Sequence, residues 1–291
     1  MADQALTDKI KKSFPNFKYT SAKILKSGFD HDILLIDKKL IFRFPKSKEY
    51  TKLLADEISL LKYLNKKISV NIPQYEIIDK KYQFAAYPII SGKPLNPAYL
   101  KQLSSKEKSL LLKQISEFLS DLHKIPIKSL KKYHLAAKTD KTQMFFRQLK
   151  QQIFPKLTEK EQVLLEKFKA DWQKYVEPVT TVTLTHNDLS PDNIFWDSPQ
   201  QKLGIIDFSD RKITDPAHDF APFLEFGENF VKTIYKNYQG KKDATMLKRA
   251  FIYYQKIALD LLLLYHSKND KNWKSAYRLF KKRFPSIEKP S

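Results

Sequence analysis

The chain contains no cysteine, which excludes disulfides, thiolate metal sites and cysteine nucleophiles together and accords with a cytoplasmic compartment. Only 5 glycines occur in 291 residues, leaving little room for long flexible linkers, and no internal repeat or low-complexity tract is found. Long apolar runs are also missing. The greasiest stretch, Ile257 to Tyr265, contains Asp260 and falls far short of the roughly twenty residues that a bilayer span needs. Residues 1–14 carry lysines but no apolar segment, so they do not read as a secretory signal.

What is present suits a folded protein with room for two lobes: 42% apolar and 13% aromatic residues over 291 positions. The net charge of +21 points first to nucleic acid, but its distribution argues against that partner. Segments 1–95, 96–182 and 231–291 hold 18, 17 and 15 basic residues against 10, 9 and 4 acids, whereas 183–230 reverses to 3 against 9. An acidic island in a basic chain suits a divalent metal or a cationic ligand. Helical spacing of the Phe and Tyr residues assigns them to a core rather than to a base-stacking surface.

Short β-type runs at Ile33 to Ile36 and Leu40 to Phe44, separated by Asp37, Lys38 and Lys39, predict a hairpin. Apolar residues at helical spacing from Leu53 to Leu64 predict a helix carrying Glu57, ending near Lys66. Runs at 74–78 and 83–87 predict two more strands, and the segment Pro88 to Lys93 a lobe boundary. Ser104 with Glu107 and Thr158 with Glu161 are capping-box patterns that open long helices. Strands are expected at 179–185, 194–196 and 203–206, the last two around a turn at 198–201, and helices over most of 228–282. The order predicts an α+β, two-lobe architecture divided into residues 1–89 and 90–291.

The strongest chemical signal is His186-Asn187-Asp188-Leu189-Ser190-Pro191-Asp192-Asn193, followed by Ile205-Ile206-Asp207-Phe208-Ser209-Asp210. Taken alone, Asp188, Asp192 and Asn193 are an ordinary turn cluster around Pro191. With a second Asp at the end of an apolar strand, the set meets the needs of phosphoryl transfer. That reaction wants a base at the acceptor hydroxyl and oxygen donors that hold Mg²⁺ on the phosphates. The spacing matches the kinase catalytic loop H-x-D-x-x-x-x-N, and Asp207-Phe208-Ser209 is similar to the metal-binding D-F-G.

With Asn187 in place of the loop Arg and Thr214-Asp215-Pro216-Ala217-His218-Asp219-Phe220 downstream, the chain resembles the aminoglycoside phosphotransferase family, which has a protein-kinase-like fold. The resemblance implies a small β-rich N-lobe and a larger, mainly helical C-lobe. It makes Asp188 the base, Asn193 and Asp207 the Mg²⁺ ligands, Asp219 the brace of the catalytic loop and His186 structural. Ile41-Phe42-Arg43-Phe44-Pro45 resembles the strand that brings a cation to the nucleotide phosphates, with Glu57 as its ion-pair partner. This chain has Arg43 where better-known kinases have Lys, a different donor geometry. Ser27 and Gly28 fall in the nucleotide-covering loop, which lacks a glycine-rich sequence, and Tyr87 to Ile90 resembles the purine hinge. Since Pro88 has no N–H, the base must be read around Ile90.

Asp192, Glu225 and Glu228 are candidates to hold acceptor amines, although Glu225 and Glu228 could equally be a helix N-terminal turn. His31, His123, His134, His218 and His266 show no metal-ligand spacing and default to core or surface residues. The expected activity is transfer of a phosphate from ATP or GTP, with Mg²⁺, to a hydroxyl of an amine-bearing, aminoglycoside-like small molecule. Residues 64–92 are also similar to macrolide phosphotransferases, which keeps a macrolide or other metabolite as the rival acceptor. A non-catalytic nucleotide-binding relative is the alternative of another class.

Overall fold

The computed structural model describes residues 2–27, 30–133, 135, 141–267 and 271–284. Helix α1 (Ala2–Ser13) precedes the strands β1 (Ala22–Ser27), β2 (His31–Ile36) and β3 (Leu40–Pro45), helix α2 (Lys48–Leu64), and strands β4 (Ile77–Ile78) and β5 (Ala85–Pro88). These strands form one antiparallel sheet in the order β1-β2-β3-β5-β4. The expected hairpin turns at Asp37 and Lys38, both left-handed with φ of 50° and 54°. No glycine is needed there because the Asp37 carboxylate accepts the backbone N–H groups of Thr20 and Ser21 at 2.8 and 2.7 Å.

Register decides what the sheet presents to the cleft. Ile33 lies opposite Arg43, Arg43 opposite Ala85, His31 opposite Pro45 and Ile41 opposite Tyr87, so His31, Arg43 and Tyr87 share one face. The other face buries Leu34, Ile36, Phe42, Phe44 and Phe84 against Leu6 and Ile10 of α1. Neither α1 nor β1 was marked by periodicity. The run at 74–78 pairs only over Ile77–Ile78.

Helix α2 starts at Ser47, whose hydroxyl accepts the Tyr50 N–H at 3.2 Å. Its Leu54 and Ile58 pack on Ala85 of the sheet, while Leu60, Leu61 and Leu64 join the large core of the second lobe. Glu57, between these two sets, is buried.

The second lobe opens with β6 (Lys93–Pro94), α3 (Pro97–Gln102), α4 (Ser105–His123) and α5 (Ile127–Leu130). After α6 (Thr142–Gln148) and a π-type turn over Leu149–Ile153 come α7 (Glu159–Tyr175) and β7 (Thr183–Thr185). Then follow β8 (Ile194–Asp197), β9 (Lys202–Ile205), β10 (Lys212–Thr214), a 3₁₀ segment Pro216–Phe226, α8 (Glu228–Asn237), α9 (Met246–Ser267) and α10 (Trp273–Arg283). Both capping boxes form, with the Glu107 and Glu161 carboxylates accepting the Ser104 and Thr158 N–H groups at 3.0 and 2.9 Å. β8 and β9 make the expected hairpin, and β7 pairs with β10 across the segment between them. Among the described residues no helix is long and apolar enough to cross a membrane.

Candidate active site

The β8–β9 hairpin brings the two halves of the motif together. Ile194 pairs with Ile205, and the Ile206 N–H donates to the Asn193 carbonyl at 3.0 Å, so Asn193 and Asp207 emerge side by side from adjacent strand ends. Asn193 turns its amide nitrogen onto the Asp188 carboxylate at 2.7 Å and the Asp188 carbonyl at 2.9 Å, which leaves its side-chain oxygen available. Burial, assisted by the negative charges of Asp210 and Asp207, raises the Asp188 carboxyl above the ordinary carboxylate range. Asp207 adopts a left-handed φ of 62°, uncommon for a non-glycine residue, and its side chain is about half exposed to the cleft. Burial would raise its carboxyl, but Arg43 and the Ser209 hydroxyl hold it below the usual range.

His186 is buried and bound to backbone on both sides. Its Nε2 donates to the Ile206 carbonyl at 3.0 Å and its Nδ1 accepts the Asp188 N–H at 3.3 Å, which fixes the neutral tautomer and ties the loop to β9. The buried Asp219 accepts the His186 and Asn187 N–H groups at 2.8 and 2.7 Å, pinning Asn187 at a left-handed φ of 68°. The carboxylate is in turn met by His123 Nε2 at 3.0 Å, whose Nδ1 is 2.8 Å from the Tyr238 hydroxyl. Burial alone would push Asp219 up, yet the His123 hydrogen bond and charge, with the loop N–H groups, hold it low. Sequence reading placed His123 among default core histidines. The only signal was its position at the end of the capped helix α4.

On the opposite wall, Arg43 donates to Glu57 at 2.6 Å, to the Tyr75 hydroxyl at 3.0 Å and to the Ser209 hydroxyl at 2.9 Å, and reaches Asp207 at 3.5 Å. Burial works against its charge, but Glu57, Tyr75 and Asp207 together outweigh it and keep the guanidinium protonated. Arg211, unmarked in the sequence reading, is a second buried guanidinium 3.8 Å from Glu57, donating also to the carbonyls of Phe208 and Leu53 at 2.9 and 3.3 Å. His31 Nδ1 lies 3.4 Å from Arg43, and burial followed by the Arg43 charge lowers the ring to about 3.

Ser27 closes β1 opposite Asp32, and Gly28 and His134 lie outside the described residues. Tyr87 is buried under the sheet, edge-on to Tyr75 with ring centroids 5.1 Å apart. In the connector, the Ile89 N–H is bound to the Lys39 carbonyl at 2.7 Å. The Ile90 side chain fills the space that a Cβ on Gly204 of β9 would occupy.

Asp188 faces a cavity of about 610 Å³ in the second lobe, bounded by Pro191, Lys212, His218, Glu225, Tyr253, Lys256 and Asp260, with Arg283 at its edge. Its carboxylates, Asp188, Glu225 and Asp260, are matched by Lys212, Lys256 and Arg283. The acidic island therefore does not build an acidic wall. Asp215 is buried on Arg249 at 2.7 Å, and Asp197 accepts the Gln200 N–H of the hairpin turn at 3.0 Å. Glu228 sits exposed at the start of α8, paired with Lys232 at 2.9 Å, and Asp192 is exposed outside the cavity lining. Glu225 does line the cavity, bound to Lys282 and to the Tyr254 hydroxyl at 2.9 Å.

Comparison with known proteins agrees with this geometry. The wild-type aminoglycoside 2'-phosphotransferase-IIIa in its GDP complex superposes with a TM-score of 0.86 at 27% identity, over 97% of this chain and 98% of that one. A complex of APH(2")-IIia with GDP and kanamycin gives 0.84 at 28% identity, over 96% and 98%. A macrolide 2'-phosphotransferase from Brachybacterium faecium shares the fold alone, with 0.69 at 14% identity over 99% and 98%. The kinase-like, two-lobe α+β fold is thus shared across the group. Residues 21–252 match the model of the phosphotransferase enzyme family, and the chain belongs to that family.

Proposed function

We propose that this phosphotransferase moves the γ-phosphate of GTP or ATP onto a hydroxyl of an amine-bearing, aminoglycoside-like small molecule in the cytoplasm. Residues 1–89 form the nucleotide lobe and 90–291 the acceptor lobe. The observation that carries the reading is the hydrogen-bonded pair of Asp188 and Asn193 beside Asp207, at the mouth of a cavity large enough for a small acceptor. Asp188 orients the acceptor hydroxyl and takes its proton, and its raised basicity in a half-desolvated site suits that task. Asn193 and Asp207 offer the oxygens for Mg²⁺, which usually takes one or two protein oxygens and completes its shell with phosphate and water. When bound, the metal neutralises charge developing on the phosphates. Arg43, held by Glu57 and Tyr75, aims its second nitrogen across the cleft toward Asp207, where a phosphate would compete for it. Ile90 contacts the purine of GTP or ATP, guanine and adenine nucleotides both being found in solved neighbours.

An amine-bearing acceptor is supported by the kanamycin complex of the 28%-identical relative and by Glu225 and Asp260 in the cavity. Both carboxylates are held by lysines of the chain itself, so an acceptor amine would exchange for Lys282 or Lys256. The balanced charge of the lining and its Pro97, Pro191, Ala221, Pro222 and Ile257 surface favour, as a second reading, a less charged acceptor such as a macrolide. A mass-spectrometric screen for one added phosphate on kanamycin, other aminoglycosides and macrolides, with GTP or ATP and Mg²⁺, separates the two. Asp188→Asn is expected to lower turnover by about 10²–10⁴-fold while nucleotide binding persists. Full turnover in that variant removes the assignment.

A further inference from the structure

A second cavity, of about 350 Å³, adjoins the acceptor cavity and is lined by Met144, Phe145, Gln148, Gln152 and Leu263 among others. Lys256 and Asp260, one turn apart on α9, line both spaces. The two spaces therefore meet at this turn of the helix. Lys256 Nζ donates to the two Asp260 oxygens at 2.7 and 2.8 Å and lies 4.3 Å from the Phe145 ring centroid. An i,i+4 pair of this kind on a partly exposed helix face is weakly held, so a ligand displaces it readily. Either volume falls within the range of small-molecule sites, and both border the same stretch of α9.

We propose that the second cavity is an extension of the acceptor site, which receives an apolar arm of the acceptor while the reacting hydroxyl lies at Asp188. The inference rests on the phosphotransferase reading above and deepens it by naming the acceptor class: an amine-bearing sugar or polyol that carries an apolar arm. Three features carry it. The thioether of Met144 and the side chains of Phe145 and Leu263 offer an adaptable apolar surface, which a charged amine does not use. Asp260 is the only carboxylate of this lining and Lys256 already meets it, so the junction suits a single amine or hydroxyl at the root of the arm. In the larger cavity the three carboxylates are matched by three cations, which removes the electrostatic gain that a polycation would need.

The test is equilibrium binding in the absence of nucleotide. Kanamycin A and a derivative carrying one n-hexyl arm are titrated calorimetrically into the full chain and into the variants Met144→Trp and Gln148→Trp, which fill the second cavity from two positions. Met144 is largely exposed, so at least this variant should fold, which a thermal melt checks. The hexyl compound is expected to bind the unmodified protein on the order of tenfold more tightly than kanamycin A, a preference that falls to within about twofold in either filled variant. Equal affinity of the unmodified protein for both compounds would overturn the proposal, as would a hexyl preference that survives both fillings. Binding is read without transfer, so the outcome is separate from that of the functional reading. A chain that prefers the hexyl compound yet phosphorylates no acceptor keeps the extension and loses the reaction.

Discussion

Arg43 shows what a guanidinium does that an ammonium cannot. Its two terminal nitrogens meet Glu57 and Tyr75 through one and Ser209, Asp207 and His31 through the other, so one side chain ties α2, the sheet and the Asp207 loop together. Arg43→Lys keeps the Glu57 pair and loses the reach to Ser209, and nucleotide KM is expected to rise about tenfold with a smaller change in kcat. Arg43→Met is a different experiment, because it leaves the buried Glu57 carboxylate with Tyr75 and the more distant Arg211. A loss of about 3–5 kcal/mol in urea unfolding is expected, and Arg43→Met with Glu57→Leu should recover much of it. Equal stability of the single and double variants would show that Glu57 does not depend on Arg43. Tyr75 carried no signal in the sequence, and Arg43 and Glu57 were legible only through the resemblance of their segments to the family. His123 and Arg211 were not, since each acts through a partner 96 or 154 positions away and leaves no local pattern.

At the level of elements, the legible features were those with local chemistry. Capping boxes close within four residues, and the 37–39 turn is bounded by two alternating runs, so both are written in short windows. Helix α1 has little apolar content of its own, and its order comes from burying Leu6 and Ile10 on Phe42, Phe44 and Phe84, contacts that no window of sequence contains. The acidic island was legible only in part for a related reason: Asp188, Asp207 and Glu225 border the cleft or cavity, but composition cannot tell them from Asp197, which caps a turn, or Asp215, which pairs with Arg249. Two glycines place the hinge between the lobes. Gly92 takes φ of 110°, and a Cβ there would lie 2.6 Å from the Trp196 carbonyl carbon. Gly92→Ala combines backbone strain with a collision against β8, and a loss of about 2–4 kcal/mol in thermal or urea unfolding is expected. Gly204→Ala would drive its Cβ into Ile90 Cγ2, a side-chain methyl on a stiff β-branched carbon rather than backbone, so it should cost clearly less stability than Gly92→Ala and raise nucleotide KM by displacing Ile90. Comparable losses of stability in the two variants would sink the distinction.

Across the whole molecule the lobes are joined by more than the connector. Leu60, Leu61 and Leu64 of α2 belong to the core of the second lobe, and Asn71 exchanges backbone hydrogen bonds with Leu203 and Ile205 at 3.0 and 2.9 Å. Loss of a buried group in either lobe should therefore register in one cooperative transition. Two histidines make this testable by pH. His31 in the first lobe and His218 in the second, stacked on Tyr253 with centroids 3.6 Å apart, are held neutral chiefly by burial, with their rings lowered to about 3 and about 4 from 6.5. A base whose pKa is lower in the folded state binds its proton first in the unfolded chain. The stability it lends is complete above 6.5 and drains away as pH falls toward the folded value. Each can contribute a slope of up to about 1.4 kcal/mol per pH unit, well above the range where the low-lying Asp219 starts to lose its share. Urea midpoints are accordingly expected to fall steadily from pH 7 to pH 5, and His31→Asn or His218→Asn should each flatten part of that decline. A midpoint constant over this interval in the unmodified chain would show that neither ring is withheld from protons by the fold.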